Sequence, residues 1–133
     1  MIMLIDKLAW LHIENKKVLC VRSYGKTLFY VPGGKRDVGE SDSEALIREI
    51  QEELSVELEL QSLSLYGVFE APADGKASGI TVKATCYIGD YRGELKPASE
   101  IEELAWLGYS DIEQCSAVVK DLFEHLHQQG LIA

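Results

Sequence analysis

Three glutamates lie close together in a stretch of the chain that is predicted to be helical. Glu49, Glu52 and Glu53 fall within an arc of about 100° on a helix with 3.6 residues per turn. Like charges at this spacing repel and destabilise a helix, so a positive partner is expected. Hard divalent cations such as Mg²⁺ bind carboxylate oxygens and often share them with substrate phosphates. The three glutamates are therefore candidate metal ligands, although a solvated acidic helix face has the same spacing.

A proline and two glycines precede this helix and favour the metal-site interpretation. Pro32, Gly33 and Gly34 predict a loop. Residues without a side chain let the backbone come close to a ligand or metal. Lys35 and Arg36 follow directly and are candidate substrate-binding residues that contact phosphate, although exposed loop cations are common.

The surrounding elements alternate between strands and helices. The glutamate helix is predicted to begin at a capping box formed by Ser41 and Glu44, and Ser110-Asp111 to cap a second helix. The two helices have apolar stripes, which are Leu46, Ile47, Ile50 and Leu54 in the first and Val118, Val119, Leu122, Phe123 and Leu126 in the second. Strands are predicted over residues 4–14, 18–23, 28–31, 57–61, 64–70, 80–91 and 103–109. This order predicts an α/β fold in which a mixed sheet carries a helix on each face. The hairpin tip, residues 71–79, is either a plain turn or a lid on the substrate side.

Composition and charge restrict the class of protein. The 133 residues predict a single domain, residues 1–133, and the net charge of −9 argues against metal-free binding to nucleic acid or an anionic membrane. Cys20, Cys86 and Cys115 are far apart and form no CxxC motif, which predicts reduced, buried thiols in a cytoplasmic protein. The N-terminal apolar stretch lacks the features of a signal peptide, and no apolar run is long enough to cross a bilayer.

The stretch from Gly34 to Val56 resembles the 23-residue box of the Nudix hydrolase family, GX5EX7REUXEEXGU, in which U is a bulky aliphatic residue. The matching positions are Gly34, Glu40, Arg48, Glu49, Ile50, Glu52, Glu53 and Val56. Ser55 stands where the family has glycine. A residue there is expected to end the helix in a left-handed conformation, which is strained for serine. We therefore expect Ser55→Gly to raise stability, unless the serine hydroxyl caps a carbonyl.

The resemblance implies an activity and a set of site residues. It implies an α/β/α sandwich that hydrolyses a diphosphate linked to another moiety, by water attack at phosphorus with Mg²⁺ or Mn²⁺. The implied metal ligands are Glu49, Glu52, Glu53 and the carbonyl of Gly33. Glu49 is also a candidate for activating the water, and Glu40 and Arg48 are implied to brace the site. A further acid from outside the box is assigned to Glu100, with Glu103 as second choice.

The substrate is less well determined by the resemblance. The short chain favours a nucleoside di- or triphosphate, including an oxidised one, and Pro72 keeps ADP-ribose or a nucleotide sugar as the second choice. The resemblance to the family also allows a homodimer. Two alternatives come from other functional classes. One is a non-catalytic nucleotide-binding module of the same fold, and the other is an acidic interaction domain without a ligand.

Overall fold

The computed structural model describes residues 3–74 and 79–133. Its strands are β1 (Met3–Trp10), β2 (Ile13–Glu14), β3 (Lys17–Ser23), β4 (Gly33–Gly34), β5 (Glu57–Leu58), β6 (Ser64–Pro72), β7 (Ile80–Ile88), β8 (Tyr91–Arg92) and β9 (Ile101–Leu107). Its α-helices are α1 (Asp42–Leu54) and α2 (Ala117–Gln128). Short 3-10 helices lie at Leu60–Ser62 and Tyr109–Gln114.

The strands form one mixed sheet and two smaller antiparallel sheets. The mixed sheet has the order β4-β1-β7-β6, in which β1 and β7 are parallel and the other neighbours are antiparallel. The second sheet has the order β2-β3-β9, and β5 pairs with β8. The chain crosses from the first sheet to the second between Trp10 and Ile13, so the strand predicted over residues 4–14 is two strands.

The central strands are buried on both faces because their alternate side chains enter two separate cores. In β1, Leu8 and Trp10 pack with the apolar stripe of α1, whereas Ala9 packs with that of α2. Strand β3 alternates in the same way, since Leu19 lies in the α1 core and Cys20 in the α2 core. The predicted sandwich, a mixed sheet with a helix on each face, is confirmed.

Helix α1 begins and ends as the sequence predicts. At its start, the Glu44 N–H donates to Ser41 Oγ at 3.2 Å and the Ser41 N–H donates to Glu44 Oε1 at 2.9 Å. At its end, Ser55 adopts the left-handed conformation with φ 64° and ψ 20°. The Ser55 hydroxyl also donates to the carbonyl of Lys96 at 3.2 Å, so both features considered for this position are present.

Two predictions next to the candidate site are wrong. Residues 28–31 do not form a strand; only isolated bridges link Val21 to Tyr30 and Phe29 to Cys115. Gly33 and Gly34 are not a loop but the short strand β4, which pairs with Ala9 and Leu8 of β1. Glycine is required at residue 33 because the close contact with the Leu8 carbonyl of β1 leaves no space for a side chain.

The predictions for several connections also need correction. Ser110-Asp111 lies within a 3-10 helix, and α2 begins after Ser116 because the bridge between Phe29 and Cys115 interrupts the helical region. The strand predicted over residues 57–61 is limited to Glu57–Leu58 and is followed by a 3-10 turn. Four residues of the predicted lid, 75–78, lie outside the described part of the chain.

The three cysteines are free and buried, as predicted. Among the described residues, no helix combines the length and the apolar character that a membrane crossing requires.

Candidate active site

The two glycines of β4 bring the backbone against a glutamate of α1. A Cβ atom added at Gly34 would lie 2.5 Å from the carboxyl carbon of Glu49, and one added at Gly33 would lie 2.0 Å from the Leu8 carbonyl oxygen. Real Cβ contacts do not occur at such distances. The glycines are therefore needed because β4 is pressed between β1 on one side and the Glu49 carboxylate on the other.

Glu53 is a buried carboxyl group next to the same strand. Only 6% of its surface is exposed, and its Oε1 accepts a hydrogen bond of 3.0 Å from the Gly33 N–H. Burial raises the pKa of Glu53 to about 8, and the charges of Glu100 and Glu49 act in the same direction, whereas the bond from Gly33 and the charge of Lys7 oppose it. Its charged form would be favoured by a nearby cation.

Glu49 and Glu52 are more accessible, and both are held by Arg48. The side chain of Glu49 is 16% exposed and accepts from Arg48 Nη1 at 2.9 Å, while that of Glu52 is 52% exposed and lies 3.4 Å from the same atom. Burial raises the pKa of Glu49 above its ordinary value, although the adjacent guanidinium of Arg48 lowers it. Arg48 thus offsets part of the repulsion between neighbouring carboxylates.

Glu100 and Glu103, the two acids considered outside the box, lie in different environments. Glu100 is exposed, lines the same cavity as Glu49 and Glu53, and raises the pKa of both through its charge. Glu103 instead accepts from Arg22 Nε at 2.8 Å on the second sheet. Glu100 therefore belongs with the box glutamates, and we use the name carboxylate cluster for Glu49, Glu52, Glu53 and Glu100.

The box residues Glu40 and Arg48 join the segment before α1 to the helix. Arg48 Nε and Nη2 donate to the two carboxylate oxygens of Glu40, each at 2.8 Å, and Nη2 also donates to the Lys35 carbonyl at 3.1 Å. These bonds, with one from the Asp37 N–H, lower the pKa of Glu40 to about 2. The contacts are those expected of bracing residues.

Lys35 and Arg36, the predicted phosphate contacts, are placed differently from each other. Lys35 lines the cavity. Arg36 Nη1 lies 2.9 Å from Asp6 and its Nη2 lies 2.7 Å from Asp42, which also accepts from the Tyr87 hydroxyl at 2.8 Å. These contacts favour a structural role for Arg36, in joining β1 and β7 to the start of α1.

A cavity of about 520 Å³ opens beside the carboxylate cluster and extends between the mixed sheet and α2. Its walls combine the glycine strand and three acids of the cluster, Glu49, Glu53 and Glu100, with apolar side chains of β6, β7 and α2. The lining residues used below are Lys7, Tyr30, Phe69, Asp74, Val82, Val118 and Val119. A cavity of this size, with an apolar part and a few polar groups, is typical of a small-molecule site.

None of these seven lining residues was predicted to belong to the site, and four of them carry charged or aromatic side chains. Lys7 and Tyr30 lie together, with the Lys7 Nζ 5.4 Å from the centre of the Tyr30 ring. Phe69 lies in a predicted strand, and Asp74 lies in the hairpin tip that was predicted to be either a plain turn or a lid. A charged residue within the apolar strand MLIDKLAW was a usable signal for Lys7, whereas the others depend on the tertiary fold.

The donor set fits a hard divalent cation, although it is not already assembled around one. In the described ranges, 3–74 and 79–133, no three His, Cys, Asp or Glu side chains form a ready metal cluster. The carboxylate cluster and the carbonyl of Gly33 nevertheless supply oxygen donors, which Mg²⁺ and Mn²⁺ prefer. The buried carboxyl group of Glu53, beside two other acids, is the feature that a cation would compensate.

Comparison with known proteins supports the fold and identifies the family. No curated protein matches this chain. Among solved structures, the E. coli ORF135 protein superposes with a TM-score of 0.73 at 22% identity, covering 96% of this chain and 91% of that one. A MutT NUDIX hydrolase from Burkholderia pseudomallei gives a TM-score of 0.73 at 23% identity, covering 92% of this chain and 97% of that one. A MutT protein from Methanosarcina mazei Go1 gives a TM-score of 0.73 at 22% identity, covering 97% of this chain and 96% of that one. These likenesses concern the fold.

The family model described as the NUDIX domain matches residues 8–128, and the chain therefore belongs to the Nudix hydrolase family.

Proposed function

We propose that this Nudix hydrolase cleaves nucleoside di- or triphosphates, oxidised ones included, by attack of water on phosphorus. The coarser activity, hydrolysis of nucleoside diphosphate-linked compounds, is that of the family. The observation that carries the proposal is that Glu49 and Glu53 of α1 line, beside β4, a cavity whose walls also carry apolar side chains of β6, β7 and α2. A nucleotide has the same division between a polyanionic part and an aromatic part.

The chain's residues would divide the work as follows. The apolar walls, with Phe69 and Val118, would hold the base, and Lys35 would contact a phosphate. Glu49, Glu52, Glu53, Glu100 and the Gly33 carbonyl would hold Mg²⁺ or Mn²⁺. The cation, when bound, would neutralise the phosphates and lower the pKa of a bound water.

Glu49 is the candidate for accepting the proton of the attacking water. The oxygen of that water forms a new bond to one phosphorus of the diphosphate, and the bridging P–O bond breaks with its electron pair leaving on the oxygen of the departing phosphate-bearing fragment. Arg48, held by Glu40, would keep Glu49 in position without contacting the substrate. A cytoplasmic location and the absence of nucleic-acid and membrane partners are parts of the same proposal, which is compatible with a homodimer.

A hydrolysis screen tests the proposal. Nucleoside triphosphates, diphosphates, 8-oxo-dGTP, ADP-ribose and UDP-glucose are incubated with Mg²⁺ or Mn²⁺, and the products are separated by ion-exchange chromatography. Glu53→Gln, purified in parallel, controls for contaminating phosphatases. We expect cation-dependent release of phosphate or pyrophosphate from nucleoside di- or triphosphates.

Two results of the screen would contradict the proposal. Cleavage of ADP-ribose or UDP-glucose alone would make the second substrate class correct. Nucleotide binding without hydrolysis of any compound would instead identify a non-catalytic binding module.

A further inference from the structure

The cavity has a fourth acidic lining residue, Asp74, which lies apart from the carboxylate cluster. Asp74 follows β6, and its two carboxylate oxygens accept from the Ala117 N–H at 3.2 and 3.0 Å. This contact places the Asp74 carboxylate at the first turn of α2. It therefore lies at the end of the cavity that is formed by the sheet and the second helix.

The surroundings of Asp74 are apolar and aromatic. Val118 and Val119 of α2 line the cavity beside it, and Phe69 of β6 lies on the same wall. Tyr30 is close enough for the negative charge of Asp74 to raise its pKa, although burial is the larger cause. A hydrogen-bonding group beside apolar side chains discriminates strongly between ligands, since a mismatched ligand group loses its contact with water and gains no partner.

The bond to Ala117 does not use all the acceptor sites of Asp74. A carboxylate has about four lone-pair positions, and among residues 3–74 and 79–133 only the Ala117 N–H, lying between the two oxygens, donates to Asp74. The neighbouring Ser116, the N-cap residue of α2, makes no side-chain cap, and its buried hydroxyl has no partner among the described residues. Polar groups at this turn thus exceed those that the described part of the chain pairs.

We propose that Asp74 determines nucleobase specificity by accepting a hydrogen bond from an exocyclic amino group of the base. Bases with such a group (cytosine, adenine and guanine) are then preferred over uracil, whose oxygen in the corresponding position faces an acceptor. This inference rests on the proposed function, because it places the base of the nucleotide in the apolar end of the cavity.

Binding of CMP and UMP tests the inference directly, since these nucleotides differ only in the amino or oxo group at ring position 4 and in the adjacent N3, which is an acceptor in cytosine and carries a hydrogen in uracil. Isothermal titration of the wild type is expected to give at least about tenfold tighter binding of CMP, the scale of a hydrogen bond to a charged acceptor. In Asp74→Asn, whose amide can also donate, the ratio is expected to fall to about one or below. The amide oxygen can still accept from Ala117, so the melting temperature should change little.

The matched control is Asp90→Asn, which makes the same charge change at an exposed residue that does not line this cavity. It should leave the ratio of CMP to UMP affinity unchanged. The ratio of kcat/KM for CTP and UTP should follow the binding ratio in all three proteins. If Asp74→Asn does not fold, the wild type is titrated with AMP and IMP, an amino and oxo purine pair, and AMP should bind more tightly.

The possible results are distinct. Equal affinities in the wild type, no binding of either monophosphate, or an unchanged preference in Asp74→Asn would overturn the inference and leave Asp74 as a helix cap. Retained preference for CMP with no hydrolysis of any nucleotide would instead support the inference and contradict the proposed function.

Discussion

The main-chain N–H of Gly33 donates to Oε1 of Glu53 at 3.0 Å, across 20 residues of sequence. This bond joins the glycine strand to the last turn of the acidic helix. It holds Glu53, the most buried acid of the carboxylate cluster, next to backbone at which a side chain does not fit. The position of Glu53 therefore depends on glycine at residue 33.

Alanine substitutions at the two glycines should have different consequences. Gly33→Ala places a Cβ against the Leu8 carbonyl of β1, which cannot move without breaking the sheet, so we expect a loss of more than about 3 kcal/mol of stability. Gly34→Ala meets only the flexible end of Glu49, so we expect a loss of about 1 kcal/mol but at least a tenfold lower turnover.

Urea unfolding and initial hydrolysis rates check these expectations. Gly67→Ala is the control, since its added Cβ would lie at an ordinary 3.4 Å from Phe69. Equal stability losses at Gly33 and Gly34 would mean that β4 is not clamped as described.

Glu100 and Glu103 provide a matched pair on one segment. Glu100→Gln should lower turnover at limiting Mg²⁺ because Glu100 lines the same cavity as Glu49 and Glu53 and lies close enough for its charge to raise the pKa of both. Glu103→Gln should leave turnover within about twofold, since it weakens only an exposed ion pair with Arg22, which is a small effect. Steady-state rates over a Mg²⁺ titration measure both, and the reverse order of effects would show that the second-choice acid is the correct one.

The Ser55 position now carries two opposing contributions. Replacing Ser55 by glycine relieves about 1 kcal/mol of left-handed strain but removes a hydrogen bond to Lys96 of similar magnitude and adds unfolded-state entropy. We therefore expect Ser55→Gly to be within about 1 kcal/mol of the wild type. Ser55→Ala keeps the strain and loses the bond, so it should be clearly less stable. Chemical denaturation of both variants checks this. An alanine variant as stable as the wild type would show that the hydrogen bond from Ser55 to Lys96 does not contribute to stability.

Alkaline pH should destabilise the protein partly through Cys86. Burial raises the pKa of this thiol from an ordinary value near 9 to about 12. The unfolded chain therefore loses the proton first, so the stability contribution is complete below pH 9 and is lost as the pH rises towards 12. Cys86→Ala lacks this term and should lose less stability between pH 8 and pH 11, by an amount on the order of 2 kcal/mol. Parallel slopes for the two proteins in urea titrations would contradict the assignment.

Much of the fold could be predicted because it depends on short-range patterns. The capping box at Ser41, the apolar stripes of the two helices and the left-handed Ser55 follow from local spacing and conformational preference. The strand formed by Gly33 and Gly34 could not be predicted, because glycine pairs disfavour strands locally and only the long-range partner β1 selects this conformation.

The candidate site shows the same division. The glutamates of α1 could be identified from their spacing within the box, whereas the difference between Glu100 and Glu103 depends on Arg22, which lies about 80 residues away in the chain. Asp74 was hidden because its partner Ala117 belongs to a helix whose start was itself predicted wrongly. Long-range pairing thus decided which acids enter the cavity.

In the proposed function, the carboxylate cluster supports metal-dependent attack of water on a nucleotide. The most direct test is the Mg²⁺-dependent turnover of Glu53→Gln relative to wild type on the best substrate of the screen, followed by ³¹P NMR with circular dichroism as a check of folding. Glu53→Gln keeps the shape of the side chain and removes its charge, so we predict a folded protein with at least about a hundredfold lower turnover. A folded Glu53→Gln variant with near-wild-type turnover at saturating Mg²⁺ would contradict the account.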